Sequence, residues 1–151
     1  MAKERAGHHV MVLNDVAEIL DLFKVILEDE GYRVTLGSMV PGEIGRALDE
    51  VKSVMPDILI LDFLFGREPM GWQLLQLLRM DRATSGLPIV ICTAAVKHVE
   101  ELSAHLAVMG VGVVIKPFDV DALVTEVRYV LDRTQADMTR TPTPIRAETQ
   151  S

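Results

Sequence analysis

Five polar residues stand where apolar stretches of the sequence end. The run VMVL is followed by Asn14 and Asp15, ILIL by Asp62, IVIC by Thr93 and VGVVI by Lys116. Two carboxylates, an amide, a hydroxyl and an ammonium are suited to handling a phosphoryl group. The carboxylates can hold a divalent cation through oxygen, which suits Mg²⁺. The cation and the lysine can neutralise phosphoryl oxygens while a carboxylate attacks phosphorus in line.

The apolar stretches supply the means of bringing these residues together. Residues 58–61 are four apolar residues without polar alternation, which is typical of a strand buried on both faces in a parallel sheet. Asp62 is then expected at the carboxyl end of that strand, where open α/β sheets place their ligand crevices. Because parallel strands all end at one edge of the sheet, the other four polar residues are expected beside it.

The whole chain alternates between short apolar runs and segments with helical periodicity. Strands are predicted at residues 10–13, 32–36, 58–61, 87–92 and 111–115, and helices at 16–31, 41–54, 71–83, 96–109 and 119–133. Gly31 is expected to end the first helix, Pro41 to open the second, and Asp119 to cap the fifth. Five strands alternating with five helices at short spacing predict a doubly wound α/β parallel sheet with right-handed crossovers. The second strand is the most polar and is expected near an edge.

Composition and charge limit the classes of function. The chain has 151 residues, of which 49% are apolar and 25% charged, and its net charge is −7, which argues against nucleic acid or anionic membrane as a partner. No run approaches the ~18 apolar residues of a membrane span, and the start MAKERAGHH has no signal-peptide core, so a cytoplasmic location is expected. The single cysteine, Cys92, lies in an apolar run, where burial disfavours a nucleophilic thiolate.

One domain is expected over residues 8–133, after a flexible N-terminus at residues 1–7. The segment TQADMTRTPTPIRAETQS, residues 134–151, has no apolar periodicity and is expected to be a disordered tail.

Four motifs carry a family resemblance. VLND follows the first predicted strand, PDILILD forms the third, ICTAA the fourth and VIKPF the fifth. Together, in this order and at these separations, they resemble the receiver domain of two-component response regulators over residues 8–133. The resemblance implies a flavodoxin-like (βα)5 fold with strand order 2-1-3-4-5.

The resemblance also implies roles for individual residues. Asp62 would accept a phosphoryl group from a histidine kinase or a phosphotransfer protein. Asp15 would bind Mg²⁺ directly, joined by Asp62 and by the backbone carbonyl of Leu64. Thr93 would be the switch hydroxyl that moves onto the aspartyl-phosphate, and Lys116 would pair with the phosphoryl group.

The sequence departs from the family pattern at two positions that bear on the switch. Asn14 stands where the family usually has a second acid; its oxygen can bind a metal-bound water, but a negative charge is lost, so Mg²⁺ binding is expected to be weaker. Val113 stands where many receivers carry Tyr or Phe. A branched aliphatic side chain cannot be the same rotating lever, so either Thr93 and loop repacking carry the output or the coupling is weak.

Some roles of these residues stay open at the level of sequence. Asp15 could cap the following helix, and Asn14 could form a turn instead of contacting metal-bound water. Trp72 and Phe65 could form a lid over the site or pack against the third helix.

The expected function is a stand-alone phosphorylation-dependent switch. With no output domain expected after Arg133, the signal would leave through protein contacts made by helix four, strand five and helix five. A kinase, a downstream protein target or a homodimer could read that face. The alternatives are a degenerate receiver that acts as a constitutive adaptor, a small phosphatase, disfavoured because Leu64 is not an acid, and a piece of a longer regulator.

Overall fold

The computed structural model describes residues 7–38, 40, 42–62, 70–94, 96–116 and 120–139. Its centre is a sheet of five strands: β1 (His9–Leu13), β2 (Arg33–Gly37), β3 (Ile58–Leu61), β4 (Ile89–Thr93) and β5 (Gly112–Ile115). All neighbouring strands are parallel, and their order is β2-β1-β3-β4-β5. The doubly wound, flavodoxin-like fold and its strand order are therefore confirmed, with the second strand at an edge.

The helices connect successive strands and cover both faces of the sheet. They are α1 (Ala17–Asp29), α2 (Ile44–Val54), α3 (Met70–Met80), α4 (Val96–Glu101), α5 (Ser103–Val108) and α6 (Val120–Thr139). Among the described residues, none of these helices is both long enough and apolar enough to cross a membrane.

Side chains of the central strands alternate between two apolar clusters. Val10 and Ile58 belong to the cluster formed with α1 and α6, whereas Met11 and Leu59 belong to the cluster formed with α2, α3 and α5. All four residues of β3 are buried. Burial on both faces explains why β3 is apolar throughout, without the alternation of a half-exposed strand.

The ends of the first two helices show one confirmed and one wrong boundary. Gly31 follows α1 with a φ of 95°, the left-handed conformation that a helix-ending glycine supplies. The second helix begins at Ile44, not at residue 41, because Gly42 has a φ of 86° and cannot belong to it. Pro41 itself lies outside the described residues.

The predicted fourth helix is two short helices, which corrects the expectation of one continuous helix over residues 96–109. Leu102 has a φ of −107° and separates α4 from α5. Leu106 belongs to the core cluster on that face of the sheet, and Leu102 packs against it.

The last helix runs to Thr139, six residues beyond the expected end at residue 133. Residues 134–139 contain neither proline nor glycine, and the next proline is at position 142. Each added residue extends the helix by one backbone hydrogen bond, so a helix continues without an apolar face. Residues 140–151, and Asp119 ahead of the helix, lie outside the described part of the chain.

Candidate functional site

The ends of β1 and β3 bring Asn14 and Asp62 together. Leu13 pairs with Leu61 in the parallel register, so the next residue on each strand reaches the same point of the sheet edge. Asn14 is 3% exposed, and its Nδ2 donates to Asp62 Oδ2 at 3.4 Å. The sequence prediction that these residues converge is correct for this pair.

Lys116 joins the same carboxylate from the end of β5. Its Nζ lies 3.1 Å from Asp62 Oδ2, and the side chains of the lysine and the aspartate are 23% and 14% exposed. The Lys116 backbone N–H donates to the carbonyl of Thr93 at 2.9 Å, which fixes where the lysine leaves the sheet. Partial burial reduces solvent screening, so this ion pair is stronger than a surface pair.

Thr93 ends β4, the strand between those that carry Asp62 and Lys116. It is 1% exposed and pairs with Ile115 of β5. The hydroxyl-bearing residue is therefore held at the sheet edge, on the strand between β3 and β5.

The turn between β1 and α1 bears on two of the open alternatives. Asn14 Oδ1 accepts the backbone N–H of Val16 at 2.9 Å, which is the turn-forming role proposed for an asparagine here. Val16 occupies the cap position of α1, and Asp15 precedes it as an exposed residue. Asp15 is therefore not the N-cap residue of α1.

The donor set fits Mg²⁺ with few protein ligands. Asp15 and Asp62 supply carboxylate oxygens at the ends of adjacent strands, while Leu64 lies outside the described residues. Within the described part of the chain, no group of three or more His, Cys, Asp or Glu side chains could hold a metal. Mg²⁺ commonly binds through one or two carboxylates and keeps several waters, so two carboxylates are sufficient.

Cys92 lies one residue before Thr93, yet its thiol is unsuited to nucleophilic chemistry. It is 2% exposed, on the sheet face covered by α1 and α6. Burial raises the pKa of the Cys92 thiol to about 12; the Lys116 charge lowers it and the Asp62 charge raises it, both to a lesser extent. The interpretation of Cys92 as an inert core residue is confirmed.

Trp72 packs between helices of the sheet face opposite α1. Its ring and that of His105 on α5 meet edge to face, with centroids 6.3 Å apart and planes inclined at 74°. Trp72 also packs against the core cluster of this face. These contacts support the packing alternative for Trp72, whereas Phe65 lies outside the described residues.

One structural residue, at the amino ends of β4 and β5 and away from the site, was not predicted from the sequence. Arg79, in the last turn of α3, donates from Nε to Met109 O at 3.1 Å and from Nη1 to Leu87 O at 2.8 Å and Thr84 O at 3.4 Å. It thereby fixes the segments that lead into β4 and β5. Burial lowers the pKa of Arg79. Its only sequence signal is a basic residue near a helix C-terminus, which is common on any surface helix.

Comparisons with known proteins give the family of the chain. The family model of the response regulator receiver domain matches residues 10–128. The DNA-binding dual master transcriptional regulator RpaA of Synechocystis is 30% identical over 125 residues, which cover 83% of this chain and 49% of that protein. The DNA-binding response regulator MtrA of Mycobacterium tuberculosis is 30% identical over 129 residues, covering 82% and 50%. The chain spans about half the length of these curated relatives.

Solved structures agree in fold. The CheY-like response regulator receiver domain protein of Methanospirillum hungatei superposes with a TM-score of 0.71 at 22% identity, covering 87% of this chain and 99% of that chain. A putative response regulator of Chloroflexus aurantiacus has a TM-score of 0.67 at 27% identity, covering 84% and 99%. The first similarity, at its low identity, concerns the fold alone.

Proposed function

The chain belongs to the response regulator receiver domain family, and we propose from this that Asp62 accepts a phosphoryl group from a histidine kinase or phosphotransfer protein. The observation that carries the proposal is the pairing of Asp62 with Lys116 at the carboxyl edge of the sheet, 3.1 Å apart. A carboxylate held beside an ammonium in a partly exposed position is both reachable by a donor and flanked by positive charge.

The chemical step is an in-line displacement at phosphorus. An Asp62 carboxylate oxygen attacks the phosphorus of a phosphohistidine, and the new O–P bond forms as the N–P bond breaks. The leaving imidazole of the donor takes up a proton. Lys116 is placed to move from the carboxylate to an oxygen of the transferred group, where it neutralises charge.

Mg²⁺, when bound, would neutralise further charge on the phosphoryl oxygens. Asp15 and Asp62 are the described residues that would hold it, and the carbonyl of Leu64 remains part of the proposal. Asp15 is exposed and can reach an ion from solvent without rearrangement of the core.

Thr93 is proposed to convert phosphorylation into a change of shape. Its hydroxyl would bond to the aspartyl-phosphate from the end of β4, and the change would pass to β5 through the Thr93 to Ile115 pairing. Val113 on β5 is partly buried against the core, so the response would consist of backbone and loop repacking without an aromatic rotation.

The output is proposed to be a change in protein contacts at the face formed by α4, α5, β5 and α6. A kinase, a downstream protein target or a second copy of the chain could read that face. The names of RpaA and MtrA describe those longer proteins as DNA-binding. With a net charge of −7, the present chain is proposed to make no nucleic-acid contact itself, and to work in the cytoplasm.

Chemical trapping tests the assignment of Asp62. An acyl phosphate is cleaved by hydroxylamine and leaves a hydroxamate on the acceptor, whereas phosphoserine and phosphothreonine do not react. After exposure to a small phosphodonor with Mg²⁺, peptide mapping is expected to find the hydroxamate at Asp62. A hydroxamate at another acid, or a label resistant to hydroxylamine, would refute the assignment.

The alternative is a degenerate receiver that binds its partner constitutively, favoured by Asn14 and Val113 at two positions of the switch. The two functions predict different affinities for a partner that is first captured with the phosphorylated wild type. The comparison is between its affinity for phosphorylated wild type and its affinity for the Asp62→Asn variant. Equal affinity for both proteins would favour the adaptor, and a loss of affinity would favour the switch.

A further inference from the structure

Both polar ends of the Asn14 side chain are engaged by protein groups. Oδ1 accepts the Val16 N–H at 2.9 Å, and Nδ2 donates to Asp62 Oδ2 at 3.4 Å. The orientation of the amide is fixed by its partners, because the flipped amide would set NH₂ against a backbone N–H and oxygen against a carboxylate. Asn14 is buried, with 3% of its surface exposed.

We infer that Asn14 is a positioning residue that holds Asp62 and the turn before α1 together by neutral hydrogen bonds, and that it contributes nothing directly to metal binding. The inference rests on the proposed role of Asp62 as acceptor and concerns the resting state of that site. It replaces the sequence-based expectation that the Asn14 oxygen faces a metal-bound water.

The arrangement supplies the Asp62 carboxylate with two protein donors. Two donors, Lys116 Nζ and Asn14 Nδ2, converge on Asp62 Oδ2. An aspartate at position 14 would keep the bond from Val16 N–H, since the accepting oxygen is retained, but it would set a carboxylate oxygen where the NH₂ group now donates. Two carboxylates at that separation repel each other unless a cation lies between them.

The change Asn14→Asp is therefore a shape-conserving test. Isothermal titration with MgCl₂ is expected to show Mg²⁺ bound at least about tenfold more tightly by the variant than by wild type, because a negative charge is added beside the ion. In EDTA, the melting temperature of the variant is expected to fall by about 3 °C or more, and Mg²⁺ is expected to restore it. The rise in melting temperature on adding Mg²⁺ should be smaller for wild type than for the variant at the same Mg²⁺ concentration.

Two further variants separate the hydrogen bond from charge in general. Gln76→Glu adds the same charge at an exposed position of α3 and should change neither the Mg²⁺ affinity nor the melting temperature in EDTA. The double variant Asn14→Asp with Asp62→Asn removes one of the two facing carboxylates and keeps the net charge of wild type, but Lys116 loses its carboxylate partner, so it should recover part of the melting temperature that the single variant loses in EDTA. If the single variant does not fold in EDTA, the double variant should still fold.

The inference is overturned if Asn14→Asp leaves both the Mg²⁺ affinity and the melting temperature in EDTA unchanged, or if the double variant is no more stable than the single one. None of these measurements involves phosphoryl transfer. They can therefore fail while Asp62 is still phosphorylated, and a wild type that accepts no phosphoryl group would refute the proposed function without altering them.

Discussion

Lys116 Nζ lies 3.1 Å from Asp62 Oδ2, so residues 54 positions apart in sequence form an ion pair between the ends of β5 and β3. This pair spans β4, whose last residue is Thr93. Carboxylate, ammonium and hydroxyl thus come from the ends of three consecutive strands of the sheet. A change in the charge or bonding of Asp62 is expected to reach β5 through the lysine.

Replacement of the lysine tests its role in phosphoryl transfer. Lys116→Met removes the ammonium and keeps a side chain of similar length, so the rate of phosphoryl gain from a small donor is expected to fall ~10²-fold or more. Lys97→Met removes an ammonium from an exposed position on α4 and is the matched control. Intact mass measured over time gives the rate for each variant. Equal rates for the two variants would show that Lys116 has no part in transfer.

The hydroxyl at position 93 can be removed without changing the acceptor. Thr93→Ala is expected to accept a phosphoryl group as wild type does, but to lose the phosphorylation-dependent change in amide hydrogen exchange over β5 and α5. Thr93→Ser keeps the hydroxyl and should retain that change. An undiminished exchange response in Thr93→Ala would exclude the hydroxyl as the element that couples the site to β5.

Arg79 offers a test of stability that is independent of the site. Arg79→Lys cannot reproduce three bonds to the carbonyls of Thr84, Leu87 and Met109, so the free energy of unfolding is expected to fall by ~2–4 kcal/mol. The nearby Arg82 is exposed, and Arg82→Lys should change the free energy of unfolding by less than about 0.5 kcal/mol. Denaturant unfolding of both variants gives the two free energies. Similar losses of stability would contradict the role of Arg79 in holding the three carbonyls.

Glu126 predicts a pH dependence of stability. Burial raises its pKa above the ordinary value, against a smaller lowering by the charge of Arg133. A Cβ atom at Gly112 would lie 2.5 Å from Glu126 Oε2, so the glycine leaves space for this carboxyl group against β5. Since the raised pKa belongs to the folded state, the native protein binds more protons between the unfolded and folded pKa values. The stabilisation from Glu126 is present at low pH and lost as the pH rises through that interval.

In the variant Glu126→Gln, residue 126 cannot ionise. Its melting temperature is therefore expected not to show this fall with rising pH. Relative to wild type, it should gain stability on going from about pH 4 to pH 7. A constant difference in melting temperature across that range would show that Glu126 titrates alike in the folded and unfolded states.

The sequence predicts the sheet and the convergence of its polar ends because both follow from local patterns. The four buried residues before Asp62 are visible in the sequence as an apolar run. Asp62 and the lysine after β5 are visible as the polar residues that end such runs. The break at Leu102 depends on how one helix meets the core, and apolar spacing alone does not reveal it. The bonds of Asn14 and Arg79 depend on distances across the fold, so sequence identifies the residues but not what they hold.

The extent of α6 shows a different limit. Residues 134–139 carry no apolar stripe, so apolar spacing predicts an end at residue 133, whereas the helix runs to Thr139. Helix propagation without breakers needs no such stripe. The spacing of apolar residues therefore predicts which part of a helix contacts the core. The helix itself can extend beyond that part.

Intact mass after incubation with a small phosphodonor and Mg²⁺ tests most directly whether Asp62 is the acceptor. Wild type and Asp62→Asn are treated side by side, with Asn chosen because it keeps the shape of the side chain. We expect wild type to gain one phosphoryl group and the variant to gain none. No gain in wild type, or an equal gain in both proteins, would contradict a phosphorylation switch at Asp62.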